Sequence, residues 1–209
     1  QIMSIEPYLD SISSVKKLIH KLDTIDIKLS HIDVGGGLGI SYKGEKLVDK
    51  SEYVKTIINS LSDLDLNIIF EPGRAIVGSS AILVTKVQYL KKGSNKTFAI
   101  LNAGMNDFMR TALYDAVHNI IPVIKNSKKN KGPLEFVGPI CETTCKFVKY
   151  KKYQSLNQTD YVAIADVGAY GASLSSNYNT KPLIAEIIIN KTKARVIRKK
   201  QDIKSLLNQ

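Results

Sequence analysis

The chain has 209 residues, of which 44% are hydrophobic, and this length suits one large or two small domains with buried cores. Its formal charge of +11 raises the question of nucleic acid, but the lysines fall in separate polar runs, and arginine, on which base recognition relies, is scarce. We therefore predict a solvated basic surface and no nucleic-acid partner.

No apolar run approaches the roughly 18 residues of a membrane span, and two cysteines are too few for a disulfide framework. No membrane partner and a cytoplasmic location are therefore expected.

The first part of the chain predicts alternating helices and strands. Asp49 and Glu52, three residues apart, suggest a capping box ahead of the second helix. The order helix, strand, helix, strand is typical of parallel βα units. Apolar spacing predicts the helices over residues 3–22 and 53–64 and the strands over residues 29–34 and 66–70.

The texture of the sequence changes after residue 74. Short apolar or alternating runs, separated by turns rich in Gly, Asn and Ser, predict a mainly antiparallel β domain with a short closing helix. A further helix is predicted over residues 111–121, ended by Pro122. The boundary between the two parts is placed between residues 77 and 78. The predicted strands cover residues 81–90, 97–101, 134–137, 161–167, 183–190 and 194–198, and the closing helix covers residues 200–207.

A glycine run follows the first predicted strand. Gly35, Gly36 and Gly37 would let backbone N–H groups approach a phosphate with no side chain in the way. The dinucleotide-binding fingerprint would need a glycine where this chain has Ile40, and the chain has no P-loop ending. The same glycines also suit a tight turn that needs positive φ. A phosphate site and a plain turn are therefore both compatible with this run.

Glu71 stands at the end of the second predicted strand, where Pro72 and Gly73 stop the strand and Arg74 follows. The carboxyl end of a strand is where α/β folds present chemistry. If Glu71 is buried, its carboxylate can hold a proton on a heterocyclic nitrogen. An arginine beside it can bind phosphate or carboxylate in a bidentate manner. An ordinary Glu–Arg ion pair in a loop is the alternative.

Three segments of the β domain carry further candidates. Arg110 and Tyr114 lie four residues apart at the start of a predicted helix, so they share a face, although a solvated arginine over a half-buried tyrosine is the alternative. Cys141, followed by Glu142, comes after a strand and a Gly-Pro turn and could donate a proton if its thiol is exposed. Tyr170 lies among glycines that would present its hydroxyl group, or it is a packed loop tyrosine. No metal site is predicted, because the two cysteines have no further ligands at suitable spacing.

Five segments, taken in this order, resemble the diaminopimelate decarboxylase family, whose members are pyridoxal-phosphate enzymes of the alanine-racemase-like barrel class. The resemblance implies an α/β plus β fold. Residues 1–77 would be the last βα units of a (β/α)₈ barrel that binds pyridoxal 5′-phosphate, and residues 78–209 would form the mainly antiparallel β domain with its closing helix. The segments that carry the resemblance are residues 31–37, 70–74, 103–114, 138–142 and 168–179.

The resemblance also implies roles for the candidate residues. Glu71 would bind the pyridine nitrogen and Cys141 would protonate the carbanion, so these two are the implied catalytic residues. The residues implied to bind the cofactor are Gly35, Gly36, Gly37, Glu71, Gly73, Arg74 and Tyr170. The residues implied to bind the substrate are Arg74, Arg110, Tyr114, Glu142 and Tyr170.

Two features favour meso-2,6-diaminopimelate as the substrate and L-lysine as the product. Glu142 stands where ornithine decarboxylases typically have aspartate, and it would hold the distal ammonium group. Arg110 could hold a second carboxylate, which diaminopimelate has and ornithine lacks. The resemblance also implies a homodimer with shared sites, in which Cys141 and Glu142 reach into the neighbouring subunit's site.

The family's Schiff-base lysine lies upstream of the glycine run, and no residue of this chain aligns with it. The resemblance therefore implies that this chain is the carboxyl-terminal portion of a decarboxylase, inactive alone, with the missing amino-terminal half as a partner. The alternative is a non-catalytic homologue fragment that docks on an intact decarboxylase subunit.

Overall fold

The structure, a computed structural model, describes residues 1–208, which divide into two compact units. The first unit comprises Gln1–Ser79, and the second begins at Ser80. The domain boundary between residues 77 and 78 stays a prediction. No helix within the described residues is long and apolar enough to cross a membrane. Three 3₁₀ turns cover Gly78–Ser80, Ala172–Leu174 and Tyr178–Thr180.

The first unit is built from alternating helices and strands, as predicted. The two strands pair in parallel, with Ile32 opposite Ile68, which confirms the prediction of parallel βα units. Each strand is three residues long, shorter than the predicted apolar run. The elements are α1 (Glu6–Asp23), β1 (His31–Asp33), α2 (Lys50–Ser60), β2 (Asn67–Ile69) and α3 (Gly73–Val77).

A side-chain cap and apolar packing explain why the helices of this unit form. The Asp49 side chain accepts hydrogen bonds from the amides of Ser51 and Glu52, both at 2.9 Å, and so satisfies two donors that the first turn of α2 leaves unpaired. Tyr8 of α1 and Tyr53 of α2 pack edge to face, with ring centroids 4.9 Å apart. Both rings are buried in one apolar cluster, which holds the two helices together.

The second unit contains a six-stranded mixed sheet and a two-stranded hairpin. The elements are β3 (Leu83–Lys92), β4 (Thr97–Leu101), α4 (Arg110–Tyr114), β5 (Ile120–Pro122), β6 (Leu134–Val137), β7 (Lys146–Tyr150), β8 (Tyr161–Ile164), β9 (Glu186–Asn190), β10 (Lys193–Arg198) and α5 (Ile203–Leu207). The strand order of the larger sheet is β5-β8-β3-β4-β6-β7, and β4 and β6 pair in parallel while its other neighbours are antiparallel. β9 and β10 form the antiparallel hairpin. The prediction of a mainly antiparallel β domain is therefore confirmed.

The predicted helix over residues 111–121 is wrong beyond Tyr114. Asp115 adopts left-handed backbone angles (φ 49°, ψ 28°) and ends α4, and Ile120–Pro122 is strand β5 instead. This strand pairs with β8 in the antiparallel direction, and Ile120 is 2% exposed in the core. Pairing with β8 satisfies backbone groups that a longer helix would have satisfied internally.

The core of the second unit is formed by inward-facing residues of several strands. Val87, Phe136 and Val162, on β3, β6 and β8, are fully buried. The Phe136 ring meets the Tyr153 ring edge to face, with centroids 5.1 Å apart. The Tyr153 hydroxyl donates to the Ile120 carbonyl at 3.0 Å, and burial raises the pKa of Tyr153, so this hydroxyl remains a donor at neutral pH.

Replacement of Phe136 by alanine should destabilise the second unit by about 3–5 kcal/mol, because removing a fully buried ring leaves a cavity. The matched control is Val84→Ala on β3, where the side chain is 54% exposed and the loss should be below about 1 kcal/mol. Urea-induced unfolding followed by tyrosine fluorescence measures both variants. Equal losses would contradict the assignment of Phe136 to the core.

Candidate active site

The glycine run forms a turn directly after β1, and this turn contacts Glu71, which follows β2. Gly35 and Gly37 have φ values of +71° and +89°, a backbone region that favours glycine. A Cβ atom on Gly36 would lie 2.3 Å from the Glu71 carbonyl oxygen. The Glu71 amide also donates to the Gly35 carbonyl at 3.0 Å. Backbone angle therefore requires glycine at two positions of the turn, and lack of space requires it at the third.

The amides of this turn fit an anionic ligand. The Gly35 amide donates to Asp33 Oδ1 at 2.8 Å, whereas the amides of Gly36 and Gly37 donate no hydrogen bond among residues 1–208. Consecutive backbone N–H groups in a turn of this kind can bind a phosphate oxygen. The Gly73 amide differs, because it donates to the Glu71 carbonyl at 2.8 Å. Of the four glycines that the sequence analysis assigned to the cofactor, Gly36 and Gly37 have amides that fit a phosphate.

Glu71 and Arg74 follow β2. Glu71 is exposed at the end of its strand, so the condition of burial that the sequence analysis set for its carboxylate is not met within residues 1–208. β2 ends at Ile69, and α3 begins at Gly73 with Pro72 as its N-cap residue. Arg74 is half-buried, and its Nη1 donates to the hydroxyl of the buried Tyr42 at 3.2 Å. The sequence analysis did not identify Tyr42.

The structure buries Arg110 at the start of α4 and leaves Tyr114, at the end of the same helix, 63% exposed. The alternative of a solvated arginine over a half-buried tyrosine is therefore wrong. Arg110 Nη1 lies 2.9 Å from Nε2 of His118, which is 1% exposed. No motif in the sequence pointed to His118, which the sequence analysis placed within the predicted helix over residues 111–121.

A buried carboxyl group lies one turn before Arg110. Asp107 accepts a hydrogen bond from the Gly104 amide at 2.9 Å and another from the side chain of Asn106 at 3.1 Å. Burial nevertheless raises the pKa of Asp107, and these hydrogen bonds offset part of that shift. A Cβ atom on Gly104 would lie 2.8 Å from Asn106 Oδ1. Gly104 is therefore required by the packing of this loop.

Cys141 and Glu142 lie between β6 and β7, and both are exposed. Exposure meets the condition that the sequence analysis set for Cys141 as a proton donor. Tyr178 donates its hydroxyl to Glu142 Oε1. This hydrogen bond, together with the carboxylate charge, raises the pKa of Tyr178. The structure thus gives Glu142 a partner 36 residues away that the sequence did not predict.

Tyr170 is exposed and has a φ value of +60°. Left-handed backbone is unusual for a tyrosine and occurs often at functional sites. The next residue must be glycine, because a Cβ atom on Gly171 would lie 2.3 Å from the Val167 carbonyl oxygen. Tyr170 is 47% exposed, so the turn presents part of its side chain to the surface.

Together, these observations define a class of protein. Its first unit carries a parallel βα pair with a glycine turn fitted to a phosphate. Its second unit is a mainly antiparallel β domain that carries an exposed thiol and carboxylate and a buried arginine. An α/β unit followed by a mainly antiparallel β domain is the fold class that the sequence predicted.

Comparison with known proteins identifies the family. The family described as "Pyridoxal-dependent decarboxylase, C-terminal sheet domain" matches residues 11–168. The chain is 41% identical over 206 residues to a diaminopimelate decarboxylase of Helicobacter pylori, covering 99% of this chain and 51% of that protein. It is 39% identical over 207 residues to the one of Haemophilus influenzae, covering 99% of this chain and 50% of that protein.

Solved structures agree with the sequence comparison. A crystal structure of diaminopimelate decarboxylase from Helicobacter pylori complexed with L-lysine matches with a TM-score of 0.92 at 41% identity, over 100% of this chain and 51% of that one. The enzyme from M. jannaschii in co-complex with L-lysine matches with a TM-score of 0.94 at 30% identity, over 99% of this chain and 49% of that one.

The chain belongs to the pyridoxal-dependent decarboxylase family, and it spans about half the length of the relatives that it matches. The predicted fold class, α/β units followed by a mainly antiparallel β domain, is confirmed by the solved structures. The predicted cofactor, pyridoxal phosphate, is confirmed as that of the family.

Replacement of Gly36 by alanine should weaken retention of pyridoxal phosphate by about tenfold or more, because a forced overlap with the Glu71 carbonyl costs about 1–3 kcal/mol. Gly73→Ala is the matched control, since a Cβ atom there meets open space and alanine keeps the amide. Cofactor content after gel filtration of the native polypeptide measures both. Equal retention by the two variants would contradict the assignment.

Replacement of Glu142 by glutamine should lower the pKa of Tyr178 toward its ordinary value. The neutral amide no longer opposes ionisation of the phenol, and the carboxylate hydrogen bond is the largest cause of the raised pKa. Cys141→Ser is the matched control, because the Cys141 charge is the smallest cause. A pH titration of ¹³Cζ-labelled tyrosine, with the signal assigned by Tyr178→Phe, measures the change. An unmoved Tyr178 signal would rule out this contact in solution.

Proposed function

We propose that the polypeptide carrying this chain decarboxylates meso-2,6-diaminopimelate to L-lysine and carbon dioxide with pyridoxal 5′-phosphate as its cofactor. The observation that carries the proposal is 41% identity, over 99% of this chain, to a protein named for that reaction. The exposed Cys141 and Glu142, and an arginine suited to a second carboxylate, support it from the structure.

Residues of the first unit would bind the cofactor. When bound, pyridoxal phosphate supplies an electron sink for the electrons that the departing carbon dioxide leaves behind. The Gly36 and Gly37 amides, which have no other acceptor among residues 1–208, would hold its phosphate. Glu71, a carboxylate at a strand end, would keep a proton on the ring nitrogen, because an adjacent negative charge favours the protonated ring. Arg74 would bind phosphate or a carboxylate group.

Residues of the second unit would bind the substrate. Arg110 would hold the distal carboxylate, and Glu142 would hold the distal ammonium, each through charge-assisted hydrogen bonds. Tyr114 and Tyr170, both exposed, would line the site. The exposed Cys141 thiol would give its proton to the α-carbon that has lost its carboxylate.

The domains and the assembly belong to the same proposal. Residues 1–77 would contribute the last βα units of a (β/α)₈ barrel, and residues 78–209 would form the β domain. The amino-terminal part of the barrel would complete the cofactor site with its Schiff-base lysine. Two copies would form a homodimer in which Cys141 and Glu142 serve the neighbouring site, and the enzyme would work in the cytoplasm.

The test of this proposal uses the polypeptide isolated from its own cells. Its intact mass is measured first, and the same sample is then assayed for carbon dioxide and L-lysine released from meso-diaminopimelate, with ornithine as the comparison substrate. Release from diaminopimelate alone supports the proposal. A folded, cofactor-loaded sample that releases no carbon dioxide rejects it. Binding of such an inactive sample to an intact decarboxylase subunit would instead favour the docking alternative.

Replacement of Glu71 by alanine should lower kcat by about 100-fold or more, the range expected for loss of a group that positions a proton, while most of the cofactor is retained. Glu52→Gln, at an exposed glutamate of α2, is the matched control and should leave kcat unchanged. Carbon dioxide release and cofactor content are measured on the same preparations. Unchanged kcat with full cofactor occupancy would remove Glu71 from the mechanism.

A further inference from the structure

His118 is a buried histidine to which the proposed function gives no role. It follows α4 and is 1% exposed. Its ring packs perpendicular to the Phe108 ring, with centroids 4.6 Å apart. Its Nδ1 lies 2.9 Å from the carbonyl oxygen of Ala165, and its Nε2 lies 2.9 Å from Nη1 of Arg110. Both ring nitrogens are therefore engaged, one by the backbone and one by a candidate substrate-binding residue.

These two contacts determine the tautomer of the ring. A carbonyl oxygen can only accept a hydrogen bond, so Nδ1 of His118 must carry the proton that points to Ala165. A guanidinium group can only donate, so Nε2 must offer a lone pair to Arg110. The neutral Nδ1–H tautomer satisfies both contacts. The doubly protonated ring would direct an N–H group at a guanidinium N–H group.

We propose that His118 is a positioning residue for Arg110. As a buried neutral acceptor anchored to the backbone, it fixes the plane of the guanidinium through Nη1. A neutral acceptor aligns the arginine and leaves its positive charge in place, whereas a carboxylate in the position of His118 would neutralise that charge. The alignment serves bidentate binding of a carboxylate, which depends on the plane of the guanidinium. This inference rests on the proposed role of Arg110 in binding the distal carboxylate.

Two substitutions separate the contacts of His118. His118→Asn keeps an N–H donor near the position of Nδ1 for Ala165 but loses the acceptor for Arg110. His118→Gln places a carbonyl oxygen near the position of Nε2 and so keeps the acceptor, at the expense of the contact with Ala165. If His118 were purely structural, both variants would be less stable, and the two variants would bind ligands equally well.

The kinetic test compares two inhibitors of the native, cofactor-loaded polypeptide. L-lysine keeps the carboxylate at the end that does not react, and cadaverine is the same diamine without it. In His118→Asn, the inhibition constant for L-lysine should rise about tenfold, the size expected for one lost charge-assisted hydrogen bond, and KM for diaminopimelate should rise with it while kcat is retained. Cadaverine should bind as before, and His118→Gln should restore L-lysine binding.

The second measurement does not depend on activity. Guanidinium ¹⁵N spectra, with the signal assigned by Arg110→Lys, should show hindered rotation of the Arg110 guanidinium in the native protein and in His118→Gln, and faster rotation in His118→Asn. Equal rotation in all three proteins would overturn the inference. Equal loss of L-lysine and cadaverine binding in both variants would overturn it as well. Hindered rotation without decarboxylation would place the failure in the proposed function and leave the His118–Arg110 contact standing.

Discussion

The first unit depends on the close approach of two strand ends. The Glu71 amide donates to the Gly35 carbonyl at 3.0 Å, and the Glu71 carbonyl lies so near Gly36 that no Cβ atom fits between them. Such an approach is possible only where the backbone carries no side chain. It brings a turn with two available amides next to the residue that follows β2. The position of the turn is thus set by backbone contacts with Glu71, and these contacts require the glycines.

The second unit buries charged and polar groups inside a β domain, and these groups need hydrogen-bond partners there. A guanidinium that is 6% exposed must make hydrogen bonds to offset the loss of water. His118 supplies one acceptor, and the Ala165 carbonyl holds His118 in turn. Asp107 is buried as well, and burial raises the pKa of its carboxyl group despite the hydrogen bonds from Gly104 and Asn106. Burial of Arg110, His118 and Asp107 therefore costs stability, as is common at sites for charged ligands.

Much of the fold could be predicted because it depends on local patterns. Apolar periodicity identified α1, α2 and the paired strands, and Asp49 caps α2 as its sequence context indicated. The predictions failed where contacts distant in sequence decide. The pairing of β5 with β8 replaced the end of a predicted helix, and β7, which the strand list omitted, pairs with β6 despite its lysines. The exposure of Glu71 also depends on chain packing that no local pattern records.

The candidate site divides along the same line. The glycine turn was visible in the sequence because three adjacent residues carry it. Glu142 and Tyr178 are 36 residues apart, and Arg110 and His118 are separated by a change of secondary structure, so each pair exists only in the fold. The backbone contacts of the glycine turn tolerate few substitutions, whereas each side-chain pair can be replaced without changing the others. A change of substrate within this family should therefore alter such pairs, and the turn that fits the phosphate should stay as it is.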